Sequence, residues 1–291
     1  MTTWSALTTL EGQQAAEALG AAMERLEPAP SGIGVFELED GSGLWEVGAY
    51  FTEAPDIAGL ALLAAMNGAA DFVVSELPDK DWVAEVRREL KPVEAGRFFV
   101  YGAHDAAGLP EGRIGLLIEA SMAFGTGHHG TTQGCLEALD RLGTDGFRPA
   151  RIADIGCGTA VLAMGAARLW PEAQTIIASD IDEVAVEVAR ANVAANGLEA
   201  RLEVVEAAGF NHPALQQGAP FDLVFANILK GPLIALAPDM RDSLAPGGYA
   251  ILSGILNPQA QQVIEVYCAL GFNLVEEQRI VDWTTLVLRL V

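Results

Sequence analysis

Apolar and polar positions along this chain follow two periods, and the changes between them mark its elements. Residues 12–26 carry apolar side chains at helical spacing, which predicts an amphipathic helix. Residues 32–39 and 44–51 read as two strands around the turn Asp40-Gly-Ser-Gly43. Residues 55–69 read as a second helix, and 71–75 as a further strand. This alternation predicts a compact ferredoxin-like α/β module over residues 1–75. Residues 76–113 are charged and aromatic, broken by Pro78, Pro92 and Pro110, and read as a linker. From 114 to 291, strand-like runs near Arg151, Thr175, Arg201, Phe221, Gly248 and Val281 alternate with helical patterns. That order predicts a second α/β domain, Rossmann-like, with a mainly parallel twisted sheet.

The second domain holds the most informative segment. A short apolar run ends in Asp154, a turn carries Gly156 and Gly158, and a helical pattern follows at once. A second apolar run then ends in Asp180. This is the strand, glycine turn, helix, strand, acid order of a nucleotide-binding unit. Glycines let backbone come close to a ligand, and an acid closing the second strand can accept hydrogen bonds from ribose hydroxyls. A glycine turn alone also fits an ordinary βα connection. The context weighs against that: Asp-x-Gly-x-Gly is more typical of S-adenosylmethionine binders than of dinucleotide binders, and Asn227 closes a further strand, Phe221-Asp-Leu-Val-Phe-Ala. Asp154, Asp180 and Asn227 all fall at carboxyl ends of strands, where open α/β sheets bind ligands.

Composition narrows the class. Half of the 291 residues are apolar, enough for a real core, and no apolar run approaches the length of a membrane span. The N-terminus lacks a basic region followed by an apolar stretch, so no secretion signal is expected. Cys135, Cys157 and Cys268 are widely spaced and form no disulfide or metal pattern, which suits a reducing cytoplasm. The net charge of −22 argues against direct nucleic-acid binding, which needs basic stripes. It favours a basic partner, although an acidic surface also serves solubility alone.

Several segments together resemble the PrmA family, the bacterial methyltransferase of protein number eleven of the large ribosomal subunit. They are Ala123-Phe-Gly-Thr-Gly-His-His-Gly-Thr-Thr132, Asp154-Ile-Gly-Cys-Gly158, Asp180-Ile-Asp182 and Ala226-Asn-Ile-Leu-Lys-Gly-Pro232. Leu244-Ala-Pro-Gly-Gly248, Leu252-Ser-Gly-Ile-Leu256 and Asp79-Lys-Asp-Trp82 extend the match. The resemblance covers about the last two thirds of the chain; residues 1–75 match in length and element order more than in sequence. It implies S-adenosylmethionine as methyl donor, and lysine side-chain and N-terminal amines of that ribosomal protein as acceptors. By motif position it implies Phe124 over the methionine moiety, and Thr132, Gly156, Gly158, Asp180 and Asn227 at the cofactor. Asn227 is also the implied catalytic residue. The family's common third turn glycine is Ala160 here, and a frequent proline after the histidines is Gly130. Neither change removes a functional group.

The chemistry is consistent with these residues. A lysine amine must shed its proton before it attacks a methyl group, since its ordinary pKa is about 10.4. An apolar pocket favours the neutral amine, and the Asn227 side-chain oxygen can accept one of its hydrogens. Ile228-Leu229-Lys230 follows Asn227 where enzymes acting on flat nitrogens carry Pro-Pro-aromatic, so a planar base lacks a stacking platform. His128 and His129 lack further ligands at metal spacing, so no metal is expected. Asp182 reads as a helix N-cap, and Trp45, Trp82 and Trp283 as packing residues. A monomer is expected, with the first domain docking the acceptor protein. Two other readings stand beside this one: a lysine methyltransferase of another target, such as an electron-transfer flavoprotein subunit, and a non-catalytic nucleotide-binding module.

Overall fold

The computed structural model describes residues 3–30, 32–37, 43–77, 92–118 and 129–291. The chain forms two compact units, Met1–Glu85 and Val86–Val291.

The first unit runs β1 (Thr3–Glu11), α1 (Gln13–Met23), β2 (Gly32–Glu37), β3 (Leu44–Phe51), α2 (Ile57–Asn67) and β4 (Val73–Leu77). Its sheet has the order β2-β3-β1-β4 with every neighbouring pair antiparallel. A βαββαβ chain in that order is the ferredoxin-like arrangement. Strand β1 was not among the expected elements, yet it is central and pairs on both sides. Its buried Ala6, Thr8 and Leu10 do alternate, but small and hydroxylated side chains make a faint pattern. Leu10, Leu19, Met23, Val47, Phe51 and Leu60 draw both helices and the sheet into one core. Helix α2 starts at Asp56, whose side chain accepts from Ala58 N at 3.0 Å, and ends at Gly68 with φ 67°.

The second unit begins earlier than the sequence suggests. Strands β5 (Val93–Ala95), β6 (Phe98–Tyr101) and β7 (Ile114–Leu117) form a three-stranded sheet. Val93, Phe98, Val100 and Leu116 are buried in the same core as the helices that follow. The later part of the segment read as a linker is therefore packed structure. Its prolines and charges mark short strands and their connections rather than a flexible tether.

The main sheet is built from β8 (Arg151–Ile155), β9 (Thr175–Asp180), β10 (Glu203–Glu206), β11 (Phe221–Asn227), β12 (Leu244–Leu256), β13 (Phe272–Ile280) and β14 (Trp283–Leu290). Helices α3 (His129–Thr144), α4 (Val161–Leu169), α5 (Glu183–Ala195), α6 (Pro213–Gly218), α7 (Lys230–Ser243) and α8 (Ala260–Ala269) accompany it. The strand order is β10-β9-β8-β11-β12-β14-β13. Pairing is parallel from β10 to β12, and β14 runs antiparallel to both its neighbours. Strand β13 carries little sequence signal because it is an exposed, polar edge strand with little apolar alternation. Residues alternate between two cores: on β11, Leu223 and Phe225 face one, Val224 and Ala226 the other. The strand order reverses between β8 and β11, which opens a crevice at their carboxyl ends.

Candidate active site

The turn after β8 is shaped by two hydrogen bonds and three left-handed residues. Gly156 N and Cys157 N both donate to Ser179 O on β9, at 2.8 and 2.9 Å. Gly156, Gly158 and Ala160 have φ of 71°, 53° and 60°. Gly156 is required twice over: a Cβ there would also lie 2.4 Å from Ile228 Cγ2. At Gly158 a Cβ meets open space, so only the backbone conformation favours glycine. Ala160 shows how the chain departs from a third glycine. Its buried methyl joins the core while its backbone stays left-handed.

Asp180 closes β9 and organises this turn. Its Oδ2 accepts from Gly158 N at 2.9 Å and its Oδ1 from Asp182 N at 3.1 Å. An ionised carboxylate offers about four lone-pair sites, so acceptor capacity remains beyond these two bonds. Asp182 caps α5 by accepting from Val184 N at 3.0 Å, as its position suggested.

Asp154 is 1 % exposed and accepts from Ala163 N at 3.1 Å. Burial pushes its carboxyl up to about 7; the Ala163 bond opposes this and nearby Asp180 adds to it. Burial, with Asp154 and Asp180 close by, also raises the Cys157 thiol well above its usual range, so it stays protonated.

Asn227 ends β11. Its Nδ2 donates to Thr131 Oγ1 at 3.2 Å. Thr131 is fully buried on the first turn of α3, and Thr132 beside it is 8 % exposed. The next residue, Ile228, donates its N–H to Ser253 O at 3.2 Å. Gly254, with φ 82°, lets the Ile228 backbone come this close, since a Cβ would lie 2.5 Å from Ile228 O.

These groups meet around two adjoining cavities. One, of about 400 Å³, is lined by Thr131, Thr132, Asp154, Gly158 and Asn227 among others. The second, of about 590 Å³, is lined by Asp180, Ile181, Ala207, Ala208 and Pro232 among others. Gly156, Ile228 and Leu229 line both. Thr132, Gly156, Gly158, Asp180 and Asn227 therefore lie around one site. Phe124, Gly125–Gly127 and His128 lie outside the described residues, as does Asp79-Lys-Asp-Trp82. Thr131 is an addition. Beyond standing next to Thr132 it carries no sequence signal, because its partner is 96 residues away.

A seven-stranded sheet with one reversed strand, switching direction where an acid–glycine turn opens the crevice, defines a class I, Rossmann-like methyltransferase domain. The profile of the PrmA family, ribosomal protein L11 methyltransferase, matches residues 8–290. The chain belongs to this family. It is 46 % identical over 260 residues to a ribosomal protein L11 methyltransferase of Rhodopseudomonas palustris (strain BisB5), covering 88 % of this chain and 86 % of that one. It is 44 % identical over 242 residues to a protein of the same name from Brucella abortus (strain S19), covering 83 % of each. The solved ribosomal protein L11 methylase of Lactobacillus delbrueckii subsp. bulgaricus shares the fold. Its TM-score is 0.61 at 23 % identity, over 69 % of this chain and all of that one.

Proposed function

We propose that this chain transfers methyl groups from S-adenosylmethionine to lysine side-chain and N-terminal amines of ribosomal protein L11, acting as a cytoplasmic monomer. The observation that carries this reading is the Asn227–Thr131 bond at the wall of the 400 Å³ cavity. Because Nδ2 is held by Thr131, Oδ1 is the end left to accept from an incoming amine.

The residues present fit the cofactor. Asp180 supplies spare carboxylate lone pairs for ribose hydroxyls in the second cavity. The glycine at 156 keeps the backbone low where the two cavities join. Thr132 and Gly158 line the first cavity, and Phe124 is assigned to the methionine moiety. When bound, S-adenosylmethionine supplies a methyl group on a positively charged sulfur. The protein's part is orientation: Asn227 Oδ1 takes one N–H of a neutral amine and so directs its lone pair. Predominantly apolar walls, including Ile228, Leu229 and Leu162, favour the uncharged amine. No thiolate intermediate is needed, in keeping with the protonated Cys157.

In this reading residues 1–75 dock the acceptor protein and residues 114–291 carry out the transfer, with the short strands of 93–117 packed into the catalytic unit. Helix α2 supports the docking role. It is apolar nearly all round, yet Ile57, Leu62 and Met66 are 68, 62 and 73 % exposed. Helices apolar on every side are normally buried, so this face is built for a partner. The net charge of −22 favours a basic one and disfavours direct nucleic-acid contact.

Labelled S-adenosylmethionine, the purified chain and unmethylated ribosomal proteins test this reading together. Label on L11 is expected. Label only on another protein would overturn the target, and no transfer to any protein would overturn the activity.

A further inference from the structure

The turn joining β13 to β14 lies at the same sheet edge as the site. Strand β11 ends at Asn227, which pairs with Ser253 of the parallel strand β12. Strand β12 ends at Leu256, opposite Trp283, and Trp283 pairs in turn with Ile280. The intervening residues, Val281 and Asp282, thus sit at the carboxyl edge where Asp154, Asp180 and Asn227 also lie. The turn touches the helix that serves the site. A Cβ at Gly130 would lie 3.3 Å from both Ile280 O and Trp283 Cδ1, and the next residue, Thr131, holds Asn227.

Val281 is the wrong residue for this turn on local grounds. Its φ is 53°, a conformation that β-branched side chains resist. A two-residue hairpin turn with positive φ at its first position normally has glycine there. Packing does not compensate, because Val281 is 83 % exposed. The backbone is nevertheless held firmly by Asn257. Asn257 Nδ2 donates to Val281 O and its N–H to Asp282 O, both at 2.8 Å, while its Oδ1 accepts from Thr284 Oγ1 at 2.8 Å. The fold spends hydrogen bonds on presenting an isopropyl group to solvent beside the site. Strained residues that the surroundings over-determine cluster at ligand contacts.

We infer that Val281, at the clamped tip of the β13–β14 hairpin, is a contact for the acceptor protein, seating an apolar surface next to the amine that enters the cavity. The partner is the protein methylated at this site, so the inference rests on the proposed activity. The exposed carboxylate of Asp282 beside an aliphatic side chain matches a lysine-bearing surface, whose methylene stems are apolar and whose ends are cationic.

The test compares V281G and V281A with the wild-type chain, using intact L11 and, separately, a short lysine peptide as acceptors. Both variants delete the contact; glycine relieves the backbone fully and alanine only in part. We expect KM for intact L11 to rise about tenfold in both variants, a typical cost for losing an interface anchor. Cofactor Kd and turnover on the short peptide should not change. We expect Tm to rise by about 2–4 °C in V281G and by less in V281A. An unchanged KM for L11 in both variants overturns the inference, and a raised KM in V281G alone assigns the effect to hairpin flexibility and also overturns it. Absence of methylation by the wild-type chain would instead refute the underlying activity.

Discussion

The amide of Asn227 and the hydroxyl of Thr131 meet at 3.2 Å across 96 residues of sequence, one at the end of β11 and the other on the first turn of α3. This bond decides which end of the amide faces the cavity. Thr131→Val keeps the shape and removes the hydroxyl, leaving the amide free to turn. Turnover should fall about 10- to 100-fold, the equivalent of about 1.4–3 kcal/mol of lost alignment, with cofactor affinity little changed. Thr131→Ser should recover most of the rate. Steady-state kinetics beside calorimetry would show the split; a loss confined to cofactor binding would contradict it.

Gly156 and Gly158 should not respond alike to alanine. At Gly158 the added methyl finds open space, so the cost is the left-handed backbone alone, about 1 kcal/mol. Ala160, two residues on, already tolerates that conformation. At Gly156 the methyl also collides with the Ile228 side chain, adding about 1–3 kcal/mol of overpacking. Chemical denaturation should rank Gly156→Ala well below Gly158→Ala. Cofactor affinity should follow the same order, because Ile228 forms the wall shared by both cavities. Equal losses would contradict this reading of the turn.

Asp154 should give the fold a measurable pH dependence. In the unfolded chain its pKa is close to 3.9; in the folded chain burial raises it to about 7. Between these values the folded state binds the extra proton, so stability falls as pH rises from about 4 to about 7 and then levels off. The span amounts to roughly 4 kcal/mol at most, at 1.36 kcal/mol per unit. Urea unfolding of wild type and Asp154→Asn at about pH 5, 6 and 8 isolates the effect, because the asparagine does not titrate. Wild type should lose stability relative to the variant across that range, and parallel profiles would contradict the assignment.

The docking role proposed for helix α2 can be tested separately. Leu62→Glu and Met66→Glu alter exposed side chains, so folding should be little affected. Their KM for intact L11 should rise about tenfold or more, the cost of charging an apolar anchor. Cofactor Kd and activity on a short lysine peptide should hold. An unchanged KM would remove α2 from the docking surface.

The sequence was most readable where structure is local. The acid–glycine turn, Asp180 and the Asp182 cap lie within 29 residues of one another, and spacing alone places them on strand ends and a helix start. Features made by distant segments were hidden. Strand β1 is central only because β3 and β4 pair with it, and its small residues gave a faint alternation. Strand β13 is polar because it is an exposed edge. The segment 92–117 looked like a tether because its three strands are only three to four residues long. Thr131 became visible only when α3 and β11 were brought together.

The most direct measurement of the central claim is the intact mass of purified L11 after incubation with S-adenosylmethionine and either the wild-type chain or Asn227→Ala. Wild type should add mass in steps of one methyl group, with the modified positions mapping to amines. Asn227→Ala should add far less at both neutral and high pH, because deprotonating the amine restores its lone pair but not its alignment. Unmodified L11 with the wild-type chain, or full methylation by Asn227→Ala at neutral pH, would contradict the account.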